Sequence, residues 1–181
     1  MPFIGPLLLS IPRNVFTAVG IPLTLGFISG SQTRGVVRSP WYKDLPSPPG
    51  RPSPKVFPVA WSLLYLAMGY ASHIIVKTLD ETGATGTRSD LTFALKLYYA
   101  QLTMNVLWSP LFFGLKQVGL ALVDSAFLTG TTLYMTNLSH GLTRGMTSWF
   151  LVPYCTWLCF ATYLNGGTWL LLKRKGVNRS E

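Results

Sequence analysis

The positions of the charges constrain this chain more than any other feature. Arg13 and Arg34 enclose a stretch, 14–33, that holds no Asp, Glu, Lys or Arg. Lys55 and Lys77 enclose a second, 56–76, and Lys96 and Lys116 a third, 97–115. Between Lys116 and Arg144 the one charged residue is Asp124, and between Arg144 and Lys173 there is none. A hydrocarbon core about 30 Å thick is crossed by about 20 helical residues rising about 1.5 Å each. Five windows of about that length, fenced by basic residues, predict an all-α membrane protein. Its five transmembrane helices are expected over 15–31, 57–78, 91–115, 118–138 and 147–172. Only 12% of the residues are charged, about half the share usual in soluble domains. A soluble protein with a large core would share that composition, but not the regular fencing. Barrel strands would be shorter and would alternate strictly, which these windows do not. Polar residues inside the windows point to a packed bundle, 14–172, with a lead-in at 1–13 and a basic tail at 173–181.

Five spans divide the basic residues unequally. The loop after the first span, the turn at Lys116 and the tail carry Arg34, Arg38, Lys43, Arg51, Lys55, Lys116, Lys173, Arg174, Lys175 and Arg179. The opposite face carries Arg13, Lys77, Arg88, Lys96 and Arg144. Ten of the fifteen cations on one side place the first loop and the C-terminus in the cytosol. The net charge of +9 is then an attraction to anionic lipid headgroups, and no nucleic-acid partner is expected.

Local signals punctuate the helices. Asn14 suits an N-cap, and Pro22 predicts a kink in the first helix. Gly26 and Gly30 form a GxxxG pair that would admit a close neighbour, or arise by chance in a glycine-rich span. Residues 1–12 contain three prolines and lack a basic start, and are expected to be an irregular lead-in and not a cleaved signal. The proline-rich segment 41–54 is expected to be non-helical and stiff enough to cover the mouth of the bundle. A polar loop is expected at 79–90, and the short turn at Lys116-Gln117 makes the third and fourth helices antiparallel neighbours.

Gln101, Asn105 and Trp108 stand at i, i+4 and i+7 and so share a helical face. Amides are costly against lipid, which turns this stripe toward protein or a cavity, for interhelical hydrogen bonds, ligand contact, or both. Trp157, Ala161 and Leu164 share a face of the fifth helix, with Phe160 and Asn165 beside it. Trp61 and Tyr65 stand four apart on the second. Convergent aromatic faces suit a rigid planar ligand, although any single Trp is better explained by packing or an interfacial belt. Asp124 is the one acid inside a span, suited to an interhelical hydrogen bond or to a proton relay. His73 has no second ligand at metal spacing, and Cys155 and Cys159, four apart on one helix, suggest neither a disulfide nor a metal site. No nucleophile–base motif, P-loop or dinucleotide fingerprint is present, so neither enzyme activity nor a cofactor is expected. The sequons Asn137-Leu-Ser139 and Asn178-Arg-Ser180 are expected to be silent, given their places at the membrane and on the cytosolic side.

In combination these motifs resemble one family. Trp41-Tyr42-x-x-Leu45 and the run from Val56-Phe57-Pro58 through Trp61 and Tyr65 to Gly69-Tyr70 are similar to the first loop and second helix of the translocator protein (TspO/MBR, peripheral-type benzodiazepine receptor) family. Gln101-Leu-x-x-Asn105-x-x-Trp108-Ser109-Pro110 resembles its third helix, Gly119-x-Ala121-Leu122-x-Asp124 its fourth, and Pro153-Tyr154-x-x-Trp157-x-x-Phe160-Ala161-x-x-Leu164-Asn165 its fifth. The resemblance covers about 30–173.

The resemblance implies a five-helix bundle binding tetrapyrroles (porphyrin, haem) and synthetic aromatic ligands in a pocket, with sterols at its surface. It carries pocket roles onto Trp61, Asn105, Trp108, Trp157, Phe160, Ala161, Leu164 and Ser31. It also implies residence in the mitochondrial outer membrane beside the voltage-dependent anion channel, with the endoplasmic reticulum as the alternative address, and a homodimer. This chain departs from the family pattern in several places. Loop positions often held by tryptophan are Pro49, Gly50 and Lys55, and the position after Gly119, often Trp, is Leu120. The small-residue pair of the third helix reads Lys96 and Ala100. The sterol motif lacks its basic residue within five positions of Tyr163. Three functions follow as expectations: a receptor or carrier without catalysis, a light-dependent porphyrin-degrading enzyme, and a membrane adaptor with a vestigial pocket. The loop departures weigh against the second.

Overall fold

The computed structural model describes residues 5–31 and 33–177. Among these there is no strand. Eight helices run in order: α1 Pro6–Arg13, α2 Val15–Ser31, α3 Thr33–Val37, α4 Pro40–Lys43, α5 Val56–Glu81, α6 Thr85–Ser109, α7 Val118–Leu142 and α8 Ser148–Val177. A π-helical turn, Pro110–Gly114, extends α6.

The five long helices, α2 and α5 to α8, pack into one bundle. Helix α2 lies along α5, α6 along α7 and α7 along α8, while α5 also touches α6 and α8. By length and composition α5 and α7 are each able to cross a bilayer, and α1 with α2 would make a third span if that bent pair is one unit. The bundle thus has five long helices, of which two, or three with the bent pair, have the length and hydropathy of a span; the expected five spans are not established by that measure. Trp, Tyr, Asn and Gly residues lower the hydropathy of α8, and polar residues such as Arg88 and Asp90 fill the start of α6.

Several boundaries differ from those read in the sequence. Part of the lead-in is helical: α1 meets α2 at 104°. Asn14 stands at that corner and caps α2 as expected, its Oδ1 accepting from the Phe16 N–H at 2.8 Å. Helix α1 is held at the end of the bundle. Arg13 makes a forked pair with Asp80 at 2.8 and 2.9 Å, His73 Nδ1 meets Pro12 O at 2.8 Å, and the Tyr99 hydroxyl donates to Leu8 O at 2.7 Å. The polar segment 79–90 is mostly helical, because α5 continues to Glu81 and α6 starts at Thr85. Arg88 spans the short gap, donating to the carbonyls of Leu79 and Thr82. Trp41 to Lys43 lie in α4, against the expectation of no helix: Pro40 sits in its first turn, where a missing N–H costs nothing, and Ser39 caps it. The basic residues Lys173, Arg174 and Lys175 continue α8.

Proline and glycine set two further features. Pro110 cannot donate to the carbonyl of Val106, and Ser29 of α2 reaches that carbonyl instead, at 3.4 Å. The chain then winds wider, with Leu115 N–H bonding Pro110 O at 2.8 Å. Between α2 and α5 the backbones approach closely: a Cβ added at Gly69 would lie 2.8 Å from Val19 Cα, and one at Gly26 would lie 2.7 Å from Tyr65 Cζ. Gly30 faces open space, so only Gly26 of the GxxxG pair makes a close contact. Beyond α4, the proline-rich segment folds back across the bundle end as expected. Leu45 and Pro48 are buried, Pro48 packs on Gly167, and Tyr163 donates to Pro49 O at 3.2 Å.

Candidate ligand site

Helices α5, α6 and α8 turn their polar and aromatic faces toward one another at the bundle centre. Tyr65, Gln101, Asn105 and Tyr154 are all buried there. The Tyr65 hydroxyl donates to Asn105 Oδ1 at 2.5 Å, Asn105 Nδ2 donates to Tyr154 Oη at 2.9 Å, and that hydroxyl donates to Gln101 Oε1 at 2.7 Å. Gln101 Nε2 ends the chain on Met68 Sδ at 3.6 Å. Every donor along this line meets an acceptor, which is what a polar group needs where water is excluded. Of the uses the sequence allowed for the amide stripe, interhelical bonding is present at both Gln101 and Asn105.

Trp108 lies one level further toward the proline-rich loop. Its Nε1–H donates to Asn165 Oδ1 at 3.0 Å, and Asn165 Nδ2 donates to Val118 O at 2.9 Å. The indole stacks on Phe112, centroids 4.8 Å apart at 19°, and meets Phe113 edge-on at 5.7 Å. Trp108 therefore belongs to the cluster around Leu45, Phe112, Val118 and Ala121, not to the aromatic group of α5 and α8.

That second group is centred on Trp61 and Trp157. Their rings stand 6.4 Å apart at 88°, and Trp61 also contacts Tyr65 at 5.8 Å and Tyr154 at 6.5 Å. Trp157 meets Phe57 at 5.9 Å and Phe160 at 5.8 Å. Such edge-to-face arrangements place positive ring edges against negative faces. The Trp157 indole nitrogen is buried and has no hydrogen-bond partner among the described residues.

The structure therefore gathers Trp61, Trp157 and Phe160 in one group, with Asn105 in the polar line beneath it. Leu164 is buried and Ala161 half-buried on α8. Ser31 is exposed at the end of α2, and its hydroxyl returns to Ile28 O at 2.8 Å. Two participants, Tyr154 and Phe57, were not among the candidate residues. The amides at 101 and 105 required hydroxyl donors or acceptors from other helices, and the three-residue step from Tyr154 to Trp157 was the available signal. Of the two readings of Asp124, the interhelical hydrogen bond is not seen, since its Oδ2 is buried without a partner among the described residues. Two surface concavities lie elsewhere, one of about 420 Å³ between α7 and α8 and one of about 240 Å³ beside the Arg13–Asp80 pair.

Comparison with known proteins agrees with this arrangement of motifs. The model of the TspO/MBR family matches residues 18–170. The chain is 37% identical to the Translocator protein of Bos taurus over 173 residues, 94% of this chain and 97% of that protein. It is 37% identical to the Translocator protein homolog of Schizosaccharomyces pombe over 164 residues, covering 90% and 94% of the two chains. The Tryptophan-rich sensory protein of Cereibacter sphaeroides is 34% identical over 138 residues, 74% of this chain and 78% of its own length.

Proposed function

From the premise that the chain belongs to the TspO/MBR family, an integral membrane protein by its apolar helices, we propose that it is a membrane receptor or carrier for tetrapyrroles and sterols. In this reading α2, α5, α6, α7 and α8 all cross the bilayer, since packing against α5 and α7 shields the polar faces of the rest. The address is the mitochondrial outer membrane, with the C-terminus in the cytosol and the voltage-dependent anion channel as a neighbour. The relatives carry the names of translocators and of a sensory protein, and the activity proposed is binding and transfer, not catalysis.

One observation supports this reading above the others. Trp61, Trp157, Phe160 and Phe57 converge around an indole N–H that has no acceptor among the described residues. A flat aromatic ligand bearing an acceptor would replace ring–ring contacts with similar ones and satisfy the Trp157 donor, a favourable exchange in a site without water. The central line Tyr65–Asn105–Tyr154–Gln101 forms a rigid floor behind these rings.

Titration of the protein in nanodiscs with protoporphyrin IX in the dark tests this reading. Saturable quenching of tryptophan fluorescence is expected. Phe160→Ala removes one aromatic contact of about 0.5–1.5 kcal/mol, and so weakens binding by about two- to tenfold. Linear, unsaturable quenching that is identical in both proteins would overturn it.

A further inference from the structure

The groove between α7 and α8 is separate from the aromatic group and has a graded lining. Leu133, Val152 and Cys159 form its apolar part, while Asn137, His140 and Ser148 gather at one end. In the helix order, that end adjoins the turn joining α7 to α8, where Arg144 is exposed. The groove's floor is already satisfied, with Thr136 Oγ1 at 3.3 Å from Cys155 Sγ. His140 Nδ1 lies 2.8 Å from Ser148 Oγ, which leaves the second ring nitrogen for another partner.

We infer that this groove holds one acyl chain of a glycerophospholipid, with its ester carbonyls at Asn137 and His140 and its phosphate at Arg144. The inference rests on the membrane reading above, because only a span exposes Leu133 and Val152 to lipid. Three features of the groove fit this occupant, and a fourth places its phosphate. Ser148 and Cys159 are eleven residues apart on α8, a distance of about 16 Å, or about half the hydrocarbon thickness, so the groove serves one leaflet. Its volume of about 420 Å³ leaves room for a hydrocarbon chain laid along that length. Its polar end presents Asn137, His140 and Ser148, side chains able to donate to ester carbonyls. No residue lining the groove carries a formal charge, so the anionic phosphate is placed beyond the groove, at the Arg144 guanidinium.

Native mass spectrometry of the full chain, released from mild detergent, is the test. The wild type is expected to retain one phospholipid. Val152→Trp, which fills the groove from an exposed position, is expected to retain at least tenfold less. Phe16→Trp, on an exposed face of α2, is expected to retain as much as the wild type. A second readout needs no variant: Cys155 is buried and Cys159 exposed, so a lipophilic maleimide reports on the groove through Cys159. Added phosphatidylcholine is expected to slow that labelling several-fold in delipidated protein, and added sterol is not. Absence of a stoichiometric phospholipid, equal retention in Val152→Trp, or a retained species without phosphate would overturn the inference. If the chain proves extractable from membranes without detergent, the membrane reading fails with it; if detergent is required, the inference stands or falls alone.

Discussion

At the residue scale, the central hydroxyl of Tyr154 holds two amides at once, donating to Gln101 and accepting from Asn105. Tyr65 serves one, Asn105. Removing the Tyr154 oxygen leaves two buried polar groups without partners, and removing that of Tyr65 leaves one. An unsatisfied buried group costs about 1–3 kcal/mol. Tyr154→Phe is therefore expected to lower stability in detergent unfolding more than Tyr65→Phe; equal losses would show that the line of bonds does not act as drawn. The spacing of Gln101, Asn105 and Trp108 made this stripe legible in the sequence. That Trp108 would turn to Asn165 while its stripe-mates turn to tyrosines was not, because partners forty or more residues away carry no local signal.

At the scale of elements, helix contacts are decided by small residues and by hydroxyls. Gly69 touches the backbone of α2 at Ala18 and Val19. A methyl group there forces two backbones apart, an overpacking cost of about 1–3 kcal/mol. Gly69→Ala is expected to lower the thermal midpoint in detergent. Gly30→Ala, which meets nothing within 4 Å, is expected to leave it unchanged or raise it, since alanine favours helix. The reverse order of midpoints would contradict the α2–α5 packing. Helix α7 shows a signal that the sequence reading passed over. Ser125, Thr129, Thr132, Thr136, Ser139 and Thr143 step by four and three residues along one buried face. Their hydroxyls bond mainly to carbonyls one turn back, and Thr162 of α8 bridges Ser125 and Thr129 at 2.6 and 2.9 Å. Small self-satisfied hydroxyls permit close helix approach in a membrane, where apolar burial supplies no force between helices.

At the scale of the whole molecule, the two ends of the bundle are built differently. One end carries α1, clasped by Arg13–Asp80 and by the Tyr99–Leu8 bond. The other carries the proline strap and a rim of cations on aromatic faces: Arg51 over Tyr42 at 4.6 Å, Lys116 over Trp41 at 5.5 Å and Lys173 over Trp169 at 4.1 Å. Cationic tips on apolar stems suit a membrane boundary, as do aromatic rings beneath them. With five spans, Arg144 and Lys175 face opposite sides. Single cysteines at these positions, in a background carrying both Cys155→Ser and Cys159→Ser, are expected to react with an impermeant thiol reagent from opposite faces of the membrane. Reaction from the same face would reduce the number of spans to an even count between them and remove the proposed topology.

What the sequence determined by itself was the helical class, the approximate places of the long helices, the capping of α2 by Asn14 and the faces that had to turn inward. These follow from local rules: where charge is excluded, where proline forbids a donor, and which residues recur every three or four positions. Tertiary structure alone decided that residues before Arg13 form a helix across the bundle end, that Trp108 and Trp157 lie in different clusters, that Gly26 is crowded while Gly30 is not, and that α7 and α8 leave a groove between them. Each of these depends on which distant helix stands opposite. That choice is made by packing and by hydrogen-bond satisfaction over the whole bundle, and no local pattern records it.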